Sequence, residues 1–556
     1  MEKSQIKICQ NCKSEFVIEL DDFAFYEKMK VPAPTFCPEC RFKMLAIWRN
    51  EMSLYSSKKC DMCGKNIITM YNPKSPYKVY CYQCYMSDSW DARDYMRDYD
   101  FSRPFFEQFN SLLKDVPKKN TSIDASSGPN INSEYANYAG GMKDCYMVFN
   151  SIGEQMMYCR GIRESKETVD SYFGEHLEKC YECVNVFKSS GLIFARNTYN
   201  SMDSAFVINC NGLNNCFGCV NLRNKSYHFM NELLSREEYI KKIGEIMGSY
   251  SKMEEFKEKF VKFALTFPRK ENNNIKNVNS NGDFLSECKD VDNSFEVIGA
   301  ENSKNIFSSR AIHNADGSIG FGTKSELFFN CLGSGFSSNI ICSCSVSSSH
   351  NILYSFGLIN CHDCMGCDSL KNSEYCILNK QYTKEEYEKL KENIVGELAK
   401  QGLYGLMIPS EFSPFGYNET LAYDNMPLTK EEAIAQGFRW EDDIQMTTGK
   451  ETLQLGEISD HIKDVNSTIT KEILKCISCE RNYKIAEQEL SLYKKMNIPI
   501  PRKCFFCRHQ DRLRRRGPYK FWNRKCDHCG KEINTNYAPD RPEIVYCESC
   551  YNNEVA

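Results

Sequence analysis

The chain has 556 residues, 42% of them hydrophobic and 26% charged, and a formal charge of −4, which leaves room for several domains and excludes a general polyanion binder. No apolar run approaches the ~18 residues a membrane helix needs, and Met1-Glu2-Lys3-Ser4-Gln5 lacks the apolar stretch of a signal peptide, so a cytoplasmic location without membrane contact is expected. The 31 cysteines stand out; in a reducing compartment they point to metal ligation or to small apolar core positions rather than to disulfides.

Along the chain, the pair Cys9-Gln-Asn-Cys12 is joined by a long loop to the pair Cys37-Pro-Glu-Cys40. A shorter loop joins Cys60-Asp-Met-Cys63 to Cys81-Tyr-Gln-Cys84. Two residues between paired cysteines form a tight knuckle whose sulfurs both reach one ion, and two knuckles complete a closed tetrahedron. Residues 1–86 therefore read as a double zinc ribbon, with Gly64 supplying the positive φ that a knuckle uses. Residues 87–118 are acidic and aromatic, and are expected to form a helical connector that caps the edge of the adjoining β region.

Residues 119–230 and 281–378 form a duplication at an offset of 148, shown by Cys216-Phe-Gly-Cys219-Val-Asn-Leu-Arg-Asn224 and Cys364-Met-Gly-Cys367-Asp-Ser-Leu-Lys-Asn372. Within each copy, units of 11 begin at Val169, Cys180, Gly191, Met202, Leu213 and Asn224, and at Gly317, Phe328, Asn339, His350, Cys361 and Asn372. Short β-prone runs separated by Asn, Ser and Gly predict a mainly β fold, a duplicated parallel β-helix-like solenoid with ~22 residues per coil. A three-sided coil of 33 is the rival. Cysteines here exchange with apolar residues between the copies, as Cys180 does with Phe328, which is core behaviour; Cys216 with Cys219 and Cys364 with Cys367 are the pairs to inspect for a further metal.

Helical segments interrupt this β region. Residues 231–280 hold an insertion announced by the capping box Ser235-Arg-Glu-Glu238, residues 379–400 a helix announced by Thr383-Lys-Glu-Glu386, and residues 401–470 a linker with a short helix at Thr429-Lys-Glu-Glu432.

Residues 471–556 repeat the first module. Cys476 and Cys479 pair with Cys504 and Cys507, and the interval from Cys479 to Cys504 equals that from Cys12 to Cys37. Cys526 and Cys529 pair with Cys547 and Cys550, and the interval from Cys529 to Cys547 equals that from Cys63 to Cys81. The sixteen ligands imply four structural Zn2+ ions. Chelation is expected to unfold these modules and spare the repeats. Between the last two ribbons lies a basic, aromatic stretch containing Arg508, Arg512, Arg514, Arg515, Arg516, Lys520, Trp522, Arg524 and Lys525, a mixture suited to gripping phosphates and stacking on unpaired bases.

Phe101-Ser-Arg-Pro-Phe-Phe-Glu-Gln-Phe109, Cys216-Phe-Gly-Cys219-Val-Asn-Leu-Arg-Asn-Lys225, Asn379-Lys-Gln-Tyr382 and Pro414-Phe-Gly-Tyr417-Asn-Glu419 resemble a family of zinc-ribbon/Cys-rich repeat proteins of candidate-phyla bacteria. Such proteins often carry a CaiB/BaiF label, but this chain has no nucleotide-binding βαβ motif and no catalytic Asp in a matching context. The resemblance implies architecture and no mechanism.

Three functions are therefore open: a non-enzymatic zinc protein that binds nucleic acid or a ribonucleoprotein through its ribbons, a protein-interaction scaffold using the solenoid face, and, least supported, a β-helix carbohydrate-active enzyme.

Overall fold

The computed structural model describes residues 4–123, 127–444 and 446–555; Met1, Glu2 and Lys3 of the opening segment lie outside them. The chain divides into two units, each combining a terminal cysteine module with a long parallel sheet. One contains Met1–Thr121 and Asn274–Ile444; the other contains Ser122–Asn273 and Gln445–Ala556. Each module thus shares a unit with the repeat copy more distant from it in sequence.

In the second unit the sheet runs through the strands Arg160–Arg163, Tyr172–Glu178, Val184–Ser190, Ile193–Tyr199, Ala205–Ile208 and Phe217–Val220, all parallel. Arg160 pairs with Tyr172, Tyr172 with Val184 and Val184 with Arg196, a step of 12 residues. Pairing at the same step recurs elsewhere around the repeat, as Tyr181 with Ile193 and Tyr199 with Asn211. The other unit repeats the construction through Gly282–Ser286, Ser294–Ile298 and successive strands to Glu374–Ile377. The expected 11-residue unit and ~22-residue coil are therefore replaced by a 12-residue rung. A step of 11 occurs early in each copy (Tyr146 with Met157, Ile275 with Ser286), preceded in the first by a step of 12 at Ala136 with Val148, and one of 13 occurs at Ile312 with Ser325.

The rung is built from triplets. Buried positions recur every third residue through Leu177, Cys180, Cys183, Val186, Leu192, Ala195, Val207, Cys210, Leu213, Cys216 and Cys219, with Ser189, Thr198, Ser201 and Ser204 filling the gaps. The residue before each of these inward positions is left-handed along much of the ladder, for example Asn197, Asn209 and Asn215 at φ 50°, 55° and 51°. Asparagine tolerates this conformation better than most residues, which explains its recurrence. Asn185, Asn197 and Asn209 also form a side-chain ladder, with Nδ2 donating to the next Oδ1 at 2.9 and 3.0 Å. Lys188 occupies such a site at φ 49° with an exposed side chain. Releasing the steric cost of a left-handed residue, Lys188→Gly is expected to stabilise the protein by up to about 1 kcal/mol, and Lys188→Val to destabilise it by at least as much, read from urea midpoints.

Cysteine and serine do the same work on the inside. Ser201 Oγ donates to Tyr199 O at 2.8 Å and accepts from Leu213 N at 3.0 Å. Cys183 Sγ lies 3.5 Å from Tyr181 O and 3.6 Å from Leu192 O. Small side chains that satisfy neighbouring backbone fit a narrow interior. Cys216 and Cys219 occupy consecutive inward positions, their thiols on Asn214 O at 3.7 Å and Phe217 O at 3.5 Å, and Cys364 and Cys367 are buried in the same manner.

All three capping boxes are present, opening the helices Arg236–Ile246, Lys384–Lys400 and Lys430–Ala435. The insertion holds two helices, because Gly248 at φ 88° ends the first segment and Ser249 caps the second, Tyr250–Ala264. In the first unit the aromatic connector lies against the final rungs: Asn379 Nδ2 donates to Ala92 O at 2.9 Å, and Phe106 packs edge-on to Tyr354.

The segment Pro414–Glu419 is buried beside the N-terminal module, where Tyr55 Oη donates to Glu419 Oε1 at 2.6 Å and Gly416 N to Oε2 at 2.7 Å. Burial lifts the Glu419 carboxyl from 4.5 to about 7. The folded state then holds this proton more tightly than the unfolded state. Its contribution to stability is complete below about 4.5 and is lost as the pH rises through about 7. Chemical denaturation across that window should show a decline of up to ~3 kcal/mol in wild type that Glu419→Gln flattens.

Candidate metal centres and their docking helices

Four groups of cysteines bring their sulfurs within 4.8 Å of one another: Cys9, Cys12, Cys37 and Cys40; Cys60, Cys63, Cys81 and Cys84; Cys476, Cys479, Cys504 and Cys507; and Cys526, Cys529, Cys547 and Cys550. These are the four sets expected from spacing. Sγ–Sγ distances of 3.6 Å (Cys12–Cys37), 3.6 Å (Cys479–Cys504) and 3.8 Å (Cys529–Cys547) are far beyond a disulfide. They match the edge of a tetrahedron with ~2.3 Å metal–sulfur bonds, so the residues fit a metal ion. Backbone N–H groups turn onto the sulfurs: Cys37 N to Cys9 at 3.3 Å, Cys81 N to Cys60 at 3.3 Å and Cys547 N to Cys526 at 3.2 Å. Thiolate character follows in part from the cluster itself. Within each pair one thiol is eased at the expense of the other: hydrogen bonding with Cys504 brings Cys476 down to about 4 against the effect of burial and pushes Cys504 well up, and Cys40 likewise brings Cys37 to about 5 while its own thiol is raised.

The knuckles do more than close loops. Cys37 N-caps the helix Pro38–Ala46, and Cys504 N-caps Phe505–Arg516, so each helix starts inside a metal group. One helical turn beyond these caps stand Arg41 and Arg508. In the first unit Arg41 Nη1 donates to Asp316 Oδ1 and Oδ2 at 2.9 and 3.0 Å, Nη2 to Asn330 Oδ1 at 2.8 Å, and Tyr26 Oη to Asp316 Oδ2 at 2.8 Å. Burial opposes the charge on Asp316, but Arg41 and Lys304 hold its carboxyl below the ordinary value. In the second unit Arg508 Nε donates to Asp170 Oδ2 at 2.8 Å, and Arg512 Nη1 to Asp170 Oδ1 at 2.8 Å and Glu182 Oε1 at 3.0 Å. Arg515 also pairs with Glu182, and Arg516 Nη1 donates to Tyr172 Oη at 2.8 Å.

The structure gives the arginines of the basic stretch partners inside the unit. Arg508, Arg512 and Arg516 are buried, at 4%, 1% and 3% exposure, with carboxylate or phenol partners in place of phosphate. Arg515 and Arg524 are half-buried; Arg524 reaches Ala538 O at 3.3 Å and Asp527 Oδ2 at 3.3 Å. Arg514 is exposed and paired with Asp511, Trp522 is half-buried with Lys520 Nζ 5.8 Å from its ring, and Lys520 and Lys525 face solvent. All six guanidiniums among these nine residues therefore have partners within the unit.

The acids that receive them were missed in the sequence. Asp170 and Glu182 stand one rung apart, and both are left-handed, at φ 50° and 55°. The 12-residue step places them on adjacent rungs of one column, between Tyr158 and Phe194. An 11-residue register hides that column; the correct step would have shown an acidic pair beside aromatic neighbours.

No protein-family model and no curated protein matches the chain. Among solved structures, a Desulfovibrio desulfuricans G20 protein named as an acetyltransferase aligns at 8% identity over 47% of this chain and 81% of its own, with a TM-score of 0.10.

Proposed function

We propose that the chain is a non-enzymatic, cytoplasmic interaction scaffold in which four structural zinc ions fold two double-ribbon modules, and each module clamps a β-solenoid of 12-residue coils. The observation that carries this reading is the inward direction of the arginines on the module helices: Arg41 on Asp316, and Arg508 and Arg512 on Asp170. All-thiolate sets leave no position for a substrate, which favours structural metal. The family resemblance in the repeat and ribbon motifs fits the same architecture. Capture of the tagged chain from native lysate, with and without nuclease, tests it. A stoichiometric protein partner that survives nuclease is expected; nucleic acid lost on Arg514→Glu, Lys520→Glu and Lys525→Glu would restore the nucleic-acid reading instead.

A different observation favours a second reading, binding of a small amphipathic anion. Arg196, Arg269 and Arg502 line one cavity of about 750 Å3 in the second unit, together with Phe206, Met253 and Phe260. Each is at least nine-tenths buried and keeps one guanidinium nitrogen without a hydrogen-bond partner among the described residues. Glu182, Glu254, Glu258, Asp511 and Glu543 share the lining, but the unpartnered guanidinium nitrogens beside an apolar wall still suit an anion with a hydrophobic body. Anilinonaphthalene sulfonate should raise the melting temperature of wild type, and much less that of Arg502→Gln; equal shifts would remove this reading.

A further inference from the structure

Three of the chain's eight histidines stand on a single column of the first unit's sheet. The register runs Glu301–His313–Glu326–Ser338–His350–His362–Glu374, each residue paired with the next on the neighbouring strand. Adjacent rungs bring His350 and His362 face to face, with ring centroids 4.9 Å apart and 6° between planes. His362 Nε2 lies 2.7 Å from Glu374 Oε2, and Nδ1 lies 3.0 Å from Asp363 Oδ2. The other oxygen of Asp363 accepts from Asn351 Nδ2 at 3.1 Å, which fixes the carboxylate's orientation. One donor atom from each of His350, His362 and Asp363 falls within 4.8 Å of the others.

We infer that His350, His362 and Asp363 form a fifth metal site, of a kind different from the thiolate groups: an open, solvent-facing site for one divalent transition cation. Two imidazoles and a carboxylate are the donor set that zinc, nickel and copper accept. A separation of 3.0 Å between His362 Nδ1 and Asp363 Oδ2 equals that between two ligands at ~2.1 Å meeting at a right angle on one ion. Glu374 accepts a hydrogen bond from the Nε2–H and leaves the Nδ1 lone pair for the ion, the carboxylate–histidine–metal relation that orients ligands in such sites. Glu374 is therefore a positioning residue. His350 is exposed and can turn to close the remaining gap, whereas His362 and Asp363 are half-buried and already fixed.

Three protein ligands leave coordination positions open. His350 also borders a recess of about 350 Å3 lined by Ser325, Ser337, Ser338, Ser348, Ser349 and Lys324. The open positions are thus accessible to water or a small oxygen ligand, unlike the closed thiolate sets. His313 stands two rungs before Ser338 and has Glu301 beside it at 3.7 Å, but no second histidine on an adjacent rung, so the column forms one such site.

The test uses tag-free, full-length protein saturated with zinc at the thiolate groups. It is titrated with NiCl2 in a calorimeter, and both metals are counted afterwards by mass spectrometry. Wild type should take up one nickel per chain without losing zinc. His350→Ala and His362→Ala should each weaken uptake by at least 100-fold, and Glu374→Gln by 10- to 100-fold. Ser348→Ala should bind as wild type does. His350, Ser348 and Glu374 are exposed and His362 is half-buried, and unchanged melting curves will show that the variants fold. The site is refuted if the His350→Ala, His362→Ala double variant binds nickel as wild type does, if nickel enters only by displacing zinc, or if wild type takes up none. In the last case His362 serves only to bridge Asp363 and Glu374.

Discussion

Removing metal from the thiolate groups is expected to lower the stability of both parallel sheets, as well as unfolding the terminal modules. Structural sites of this kind contribute on the order of 10 kcal/mol of apparent binding free energy to the fold around them. The sequence alone suggested that the repeats would be spared. The helices Pro38–Ala46 and Phe505–Arg516 alter that expectation, because each begins on a cysteine ligand and covers part of a sheet. Phe42 packs on Phe307 with centroids 4.5 Å apart, and Phe505 on Tyr158 at 5.2 Å. Unfolding the modules would expose these aromatic faces to water. A loss of ~4 kcal/mol at 2–4 °C per kcal/mol corresponds to a fall in melting temperature on the order of 10 °C. Calorimetry with and without a strong chelator checks this. A sheet transition unmoved by chelation would show that the modules are appendages rather than clamps.

Asp170→Ala is expected to cost 3–5 kcal/mol, about the amount lost when one member of a buried ion pair is removed. The carboxylate serves two buried guanidiniums, Arg508 and Arg512, and its loss leaves Arg512 with Glu182 and Tyr158 O, and Arg508 with Lys503 O and with Glu489 at 3.7 Å. The first unit offers a cleaner control. Asp316→Leu strands Arg41, whereas Asp316→Leu combined with Arg41→Met replaces both charges by apolar groups and should recover much of the loss. A double-mutant cycle in urea should give a coupling on the order of 2 kcal/mol. A coupling near zero would mean that aromatic packing alone holds the helix.

The cysteine ligands were legible because chemistry dictates their spacing: a knuckle admits two residues between ligands, and no other use of cysteine imposes the repeated separations. The capping boxes were legible for the same local reason. The rung length was not. Its inward positions alternate Cys, Ser, Thr, Val, Ala and Leu, so hydrophobic periodicity is diluted by polar residues that satisfy backbone groups inside. The 11-residue steps at Tyr146–Met157 and Ile275–Ser286 are confined to the early part of each copy, and they obscure the longer repeat. The clearest trace of the triplets was asparagine before an inward residue, as in Asn209-Cys210, Asn215-Cys216 and Asn330-Cys331, whose meaning is a left-handed turn. With the step misplaced, Asp170 and Glu182 could not be seen as neighbours, and the arginines that meet them read as a surface for nucleic acid.

The most direct measurement of the clamp is amide hydrogen exchange over residues 505–516 and the strand Val184–Ser190, with metal bound and after chelation. In the metal-loaded protein the helix should be protected about as well as the strand, and both should lose protection when metal is removed. A helix that exchanges freely while metal is bound, or a strand whose protection is indifferent to metal, would contradict the clamp.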